Sequence, residues 1–167
     1  MVLRLLSPLN AWIARLCMYA AVVGLLAIVA VVGWQVFGRY VLNDTPTWAE
    51  ALALVLVLYV TMLGAAVGVR DAGHIGLDSV IAFAVPERHR IWFEYVGHVL
   101  VGLFGILMAW HGGVLARSVM AYKIPILGLP EGINHVPLVI AGGLIALFSL
   151  EHILALMAGK TVVPSWH

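Results

Sequence analysis

Four sets of residues in this chain have types and spacings that could do chemistry. Gln35, Arg39, Trp48 and Glu50 gather in GWQVFGRYVLNDTPTWAE, residues 33–50. Arg70, His74 and Asp78 follow one another in RDAGHIGLD. Glu94 and His98 stand four apart, a spacing that brings two side chains together on a helix. His111 and His135 are the remaining pair, and two histidines facing each other between helices could ligate a haem iron. The bland alternative for that last pair is interfacial hydrogen bonding. The rest of the usual inventory is missing. There is no multi-residue metal pattern, no glycine-rich phosphate loop and no nucleophile–base pair, so no catalytic function is expected.

The elements that must position these residues are set by composition. Mean hydropathy is +1.07, 63% of residues are apolar and 10% are charged, too little charge to cover a soluble domain. The net charge of +1 gives no basic field for nucleic acid. Cys17 is the single cysteine, so no internal disulfide forms. Four stretches lack Asp, Glu, Lys and Arg: 16–38, 51–69, 95–116 and 132–150. A helix rises about 1.5 Å per residue, so even the shortest covers roughly one hydrocarbon core. The fold class is therefore an all-α integral membrane protein with four transmembrane helices and short interfacial helices. The spans are placed at about 13–38, 49–69, 94–116 and 133–156, in one four-helix membrane domain covering 1–167. The first span has no small-x-small cleavage site at its end and is retained as a mature helix.

The connections carry the punctuation. Residues 2–12 mix Leu, Trp and Ile with Arg4 and are expected to form a short interfacial helix interrupted at Pro8. The second span starts near Thr47 and Glu50, spaced as a capping box, or at Thr45 with Pro46 in the first turn. Residues 75–85 are too short to span and are expected on the membrane surface. Pro125, Gly128, Pro130 and Gly132 make the third connection a loop, not a fifth helix. Gly64 to Gly68, and Gly105, Ala109 and Gly113, are small-residue faces for packing within the domain or against another subunit. Six Lys/Arg residues (4, 15, 70, 88, 90, 160) fall on the side of the termini and three (39, 117, 123) on the other. The bias places both termini in the cytoplasm.

No span holds an Asp, Glu, Lys or Arg within its apolar run, as a coupled carrier usually does. Paired Gly/Pro-broken spans are missing too. A stand-alone exporter is disfavoured on both grounds.

Two blocks of residues then resemble a known family. Gln35-Val36, Arg39-Tyr40-Val41, Asn43, Trp48 and Glu50 form the first; Gly64, Arg70, His74-Ile75 and Asp78 form the second; Pro130, Gly132 and Pro137 form a looser third. Together, over about Arg4 to Met157, they are similar to the small membrane (Q) subunit of the tripartite ATP-independent periplasmic (TRAP) transporters. Ala51 stands where that family often has a second acid. The resemblance implies a non-catalytic subunit of the bacterial inner membrane. It would brace a large membrane (M) subunit during ion-gradient-driven uptake of small organic acids. A periplasmic binding protein (P) would deliver them. It implies no cofactor in this chain, with sodium coupling in the large subunit. Gln35, Arg39, Trp48, Glu50, Arg70, His74 and Asp78 become candidates for structural or subunit contacts. Arg39 and Glu50 are expected to pair across the helix turn with Gln35 beneath, unless Arg39 reaches to headgroups. Trp48 is either a membrane-edge anchor or a partner contact. Arg70, His74 and Asp78 are either a solvated connection or a contact with the large subunit. The competing reading is a haem- or quinone-binding anchor of a redox enzyme, resting on His111 and His135.

Overall fold

A computed structural model describes residues 2–71 and 87–159, together with 162 and 165. Helix α1 spans Val2–Phe37 and runs on through a π-helical turn, Gly38–Leu42. Helix α2 spans Thr47–Asp71, α3 spans Glu87–Ser118, and a 3₁₀ turn at Glu131–His135 leads into α4, Val136–Met157. All four are long and apolar enough to cross a membrane. The expected surface segment 75–85 lies outside the described residues.

Two expectations at helix starts are corrected. Pro8 does not interrupt the chain, because α1 passes straight through it. A proline here removes one backbone donor. The helix is held on both sides of it by tertiary bonds, at the Ser7 carbonyl and at the Asn10 side chain. At α2, neither Thr45 nor Thr47 makes a side-chain cap. The carbonyl of Pro46 accepts the Ala49 N–H instead, at 3.0 Å. The third connection is a loop, as expected. Ile124 N–H bonds the Leu129 carbonyl and Glu131 N–H bonds the Tyr122 carbonyl, both at 2.8 Å, closing a short hairpin.

The helices pack as a row, α1–α2–α4–α3, and do not close into a bundle. Among the described residues α3 approaches neither α1 nor α2. Helix α4 lies inside the row: 39% of its most apolar stretch is buried, against 6% for α1. Ala14, Ala66, Val67, Ala141, Ile145 and Phe148 form the core where α1, α2 and α4 meet.

The α3–α4 seam explains the glycines. A Cβ on Gly142 would lie 2.6 Å from the Ala109 nitrogen and the Gly105 carbonyl oxygen. A Cβ on Gly105 would lie 2.8 Å from the Gly142 oxygen. Only residues lacking a side chain let the two backbones come this close. Down the seam, Gly102 meets Ser149, Gly112 meets Leu138 and His98 meets His152. On α3 the contact positions are therefore 98, 102, 105, 109 and 112. Alternating steps of four and three follow the 3.5-residue repeat of a left-handed antiparallel pair. The spacing-of-four reading that put Gly113 in this face is corrected, since nothing lies within 4 Å of its would-be Cβ. The same is true of Gly64 and Gly68 on α2.

Candidate functional site

A buried polar knot ties the ends of three helices together. Arg70, in the last turn of α2, is 2% exposed. Its Nε and Nη2 donate to the two oxygens of Glu151 on α4, at 3.2 and 3.3 Å. Its Nη1 donates to Asp71 at 2.8 Å, and Nη2 also reaches the Ser7 carbonyl on α1 at 3.4 Å. Asn10 on α1 donates its amide to Glu151 at 2.8 Å. Ser165, in the C-terminal tail, donates its backbone N–H to Asp71 at 3.0 Å, and its hydroxyl bonds the other Asp71 oxygen. The Arg70 guanidinium also lies 6.0 Å from the centre of the Phe148 ring, within cation–π range.

The chemistry explains the geometry. A buried guanidinium is tolerable only when its donors are met, and its flat fork suits carboxylates on two sides. Asn10, Arg70 and Glu151 come from three different helices, so one ion pair fixes the register of all three. His152, next to Glu151, bonds the Arg70 carbonyl at 3.0 Å. It stacks on His98 of α3, with centroids 4.6 Å apart and planes within 6°. All four helices are thereby joined at one end of the row. The expected Glu94–His98 pair does not form: Glu94 faces Arg90 at 3.7 Å, while His98 turns inward.

The corner 35–50 lies at the other end. Some 25 residues of helix separate Asn10 from Gln35, about 38 Å. Here Gly38 is buried and its carbonyl accepts the N–H groups of Asn43 and Asp44. A Cβ on Gly38 would lie 2.9 Å from the Asp44 carbonyl oxygen, so the chain doubles back only over a glycine. Asn43 takes the left-handed conformation, φ 55°, that ends the π turn. Gln35 is half-buried, whereas Arg39, Trp48 and Glu50 are exposed. Arg39 and Glu50 form no ion pair with each other, which corrects that expectation. Both side chains stay exposed at the turn.

Of the seven residues singled out from the sequence, four stand at this corner and Arg70 stands in the knot. Arg70 is not a solvated connection residue. His74 and Asp78 lie outside the described residues. Asn10, Asp71, Glu151, His152 and Ser165 were missed. The available signal was Glu151-His152, an ionisable pair at the end of the last apolar run, opposite Arg70 in depth. His111 is exposed on α3 and His135 is partly buried in the 3₁₀ turn. Among the described residues, no three His, Cys, Asp or Glu groups are placed to hold a metal.

Four spans and a charge cluster consumed by helix packing define a multi-pass membrane protein. The family it belongs to follows from comparison: the chain is a member of the tripartite ATP-independent periplasmic transporters, DctQ component, whose family model matches residues 28–159. It is thus a small permease subunit of a TRAP transporter, a transport component and not an enzyme. The redox-anchor alternative is set aside by this match. The sialic acid TRAP transporter small permease protein of Vibrio cholerae is 27% identical over 135 residues, 78% of this chain and 75% of the relative. The C4-dicarboxylate TRAP transporter small permease protein of Pseudomonas aeruginosa is 33% identical over 70 residues, 42% of this chain and 33% of the relative. A sialic acid TRAP transporter permease protein of Haemophilus influenzae is 27% identical over 126 residues, 75% of this chain but 19% of that longer protein.

Proposed function

We propose that this subunit is a static brace for a large TRAP membrane subunit. The observation that supports this most is the Arg70 knot. The buried ion-pair network at one end of the spans is engaged in joining helices, and the apolar runs between the ends hold no Asp, Glu, Lys or Arg. Such a chain has a rigid frame and lacks the usual means of coupling to an ion. Its match within a much longer permease protein supports assembly with a large membrane subunit. A periplasmic binding protein delivers the substrate, and sodium is bound by the large subunit, with no cofactor in this chain. The substrate class is a small organic acid, in keeping with relatives named for sialic acid and C4-dicarboxylates. The protein sits in the bacterial inner membrane with both termini cytoplasmic, which puts the knot inside and the corner 35–50 outside.

Reconstitution tests the reading. Liposomes holding this chain alone should show no uptake under a sodium gradient. Adding the large subunit and the binding protein should restore it. Uptake by the chain alone, or failure of a tagged copy to co-purify with a large polytopic partner, would refute the brace. A reporter fused after Lys160 that is active only outside the cell would reverse the orientation.

A further inference from the structure

The loop between α3 and the 3₁₀ turn has a strained apolar tip. Pro125, Ile126 and Leu127 form a three-residue turn, closed by the Leu127 N–H on the Pro125 carbonyl at 2.9 Å. Its central residue, Ile126, has φ 74°. A β-branched side chain strongly disfavours that conformation, and glycine or asparagine would hold it at lower cost. Isoleucine therefore brings strain to the tip without helping the turn to form. Its side chain is 66% exposed. Tyr122 is 64% exposed, Met120 52% and Leu129 39%, so the hairpin carries a set of uncovered apolar groups. Arg117 and Lys123 flank them and are exposed as well, with Glu131 the one acid at its end. Backbone strain that serves nothing locally points to a role for the side chain it displays.

We propose that the hairpin 119–130 is an interfacial anchor, with Ile126 and Tyr122 seated in the lipid leaflet at the end of the helix row opposite the knot. Arg117 and Lys123 then meet the phosphates of anionic headgroups. The occupant is lipid because the hairpin combines exposed aliphatic and aromatic groups with two flanking cations, the composition that partitions into a membrane interface. The segment is also far too short to span, and it emerges directly from the end of a spanning helix.

The test uses the full chain with Cys17→Ala, labelled with an environment-sensitive dye at Ile126→Cys. It is placed in nanodiscs of phosphatidylethanolamine and phosphatidylglycerol, alone and in complex with the large subunit. Nitroxide-bearing lipids should quench the dye several-fold more than aqueous iodide does in both preparations. A label at exposed Asp44→Cys supplies the water-facing reference. Stronger quenching by iodide would overturn the proposal. So would protection from both quenchers only when the large subunit is present, which would make the hairpin a protein-docking element. Ile126→Gly gives a second arm. It removes the strained side chain, so the thermal midpoint should hold or rise, while lipid quenching of a dye at Tyr122→Cys falls to about half. Unchanged quenching there would equally refute the anchor.

Discussion

The knot at Arg70 and the corner at Arg39 are built from the same residue types with opposite results. Each has an arginine near a helix end and a glutamate on a neighbouring helix. In the knot the two meet, because α4 brings Glu151 alongside the last turn of α2 and Asn10 and Ser165 complete the coordination. At the corner the chain turns sharply over Gly38, and Arg39 and Glu50 both face outward. A buried ion pair commits its members to holding this fold. An exposed, unmatched pair costs nothing in water and remains available to something else. One arginine is therefore expected to matter for the subunit itself, the other only for its complex.

The largest effect that tests this contrast is at Arg70. Arg70→Leu leaves Glu151 and Asp71 buried without their cation, and should destabilise the subunit by about 3–5 kcal/mol. Thermal unfolding in detergent, or the monodisperse fraction on size exclusion, measures it. Replacing Arg70, Asp71 and Glu151 together by apolar residues of similar volume should recover most of the loss. If Arg70→Leu were neutral, the knot would not be what holds the row. Next is the seam. Gly142→Val pushes side-chain atoms into the α3 backbone and should cost about 1–3 kcal/mol. Gly143→Ala, one residue away with open space at its Cβ, should raise stability slightly in the same assay, by about 0.5–1 kcal/mol. Asn10→Ala removes one donor from the buried Glu151 carboxylate and should cost about 1–3 kcal/mol, toward the lower end because two Arg70 bonds remain. The smallest change in stability is expected at the corner. Arg39→Ala and Glu50→Ala should each stay within about 0.5 kcal/mol of the parent in the isolated subunit. Reduced co-purification with the large subunit in these variants, at unchanged stability, would sharpen the contrast. A large stability loss would break it.

Much of this was legible in the chain, for reasons that can be named. Helix number and type follow from uninterrupted apolar runs, because lipid leaves a spanning backbone no other way to satisfy its hydrogen bonds. The broken third connection follows from Pro125, Gly128 and Pro130. The pairing of Arg70 did not follow, since its partners Ser7 and Glu151 lie 63 and 81 positions away and spacing carries no signal over such distances. The Arg39–Glu50 pair was a reasonable expectation from sequence proximity. It failed because proximity in sequence does not by itself bring two side chains together: both residues stay exposed on either side of the turn over Gly38, with no ion pair between them. Pro8 misled for a related reason: a local breaker is overruled when tertiary bonds grip the helix on either side of it.

The sequence by itself determined a four-span, all-helical membrane protein with charges only at the ends of its spans, because the bilayer imposes length and polarity on each segment separately. Only the tertiary structure decided that the helices form an open row with α4 inside, that Gly112 and not Gly113 continues the α3 seam, and that Arg70 is internal while Arg39 faces outward. Those outcomes depend on which helix lies beside which. In lipid that is set by close backbone contact and by matched polar groups from distant parts of the chain, since every helix is equally apolar to its surroundings.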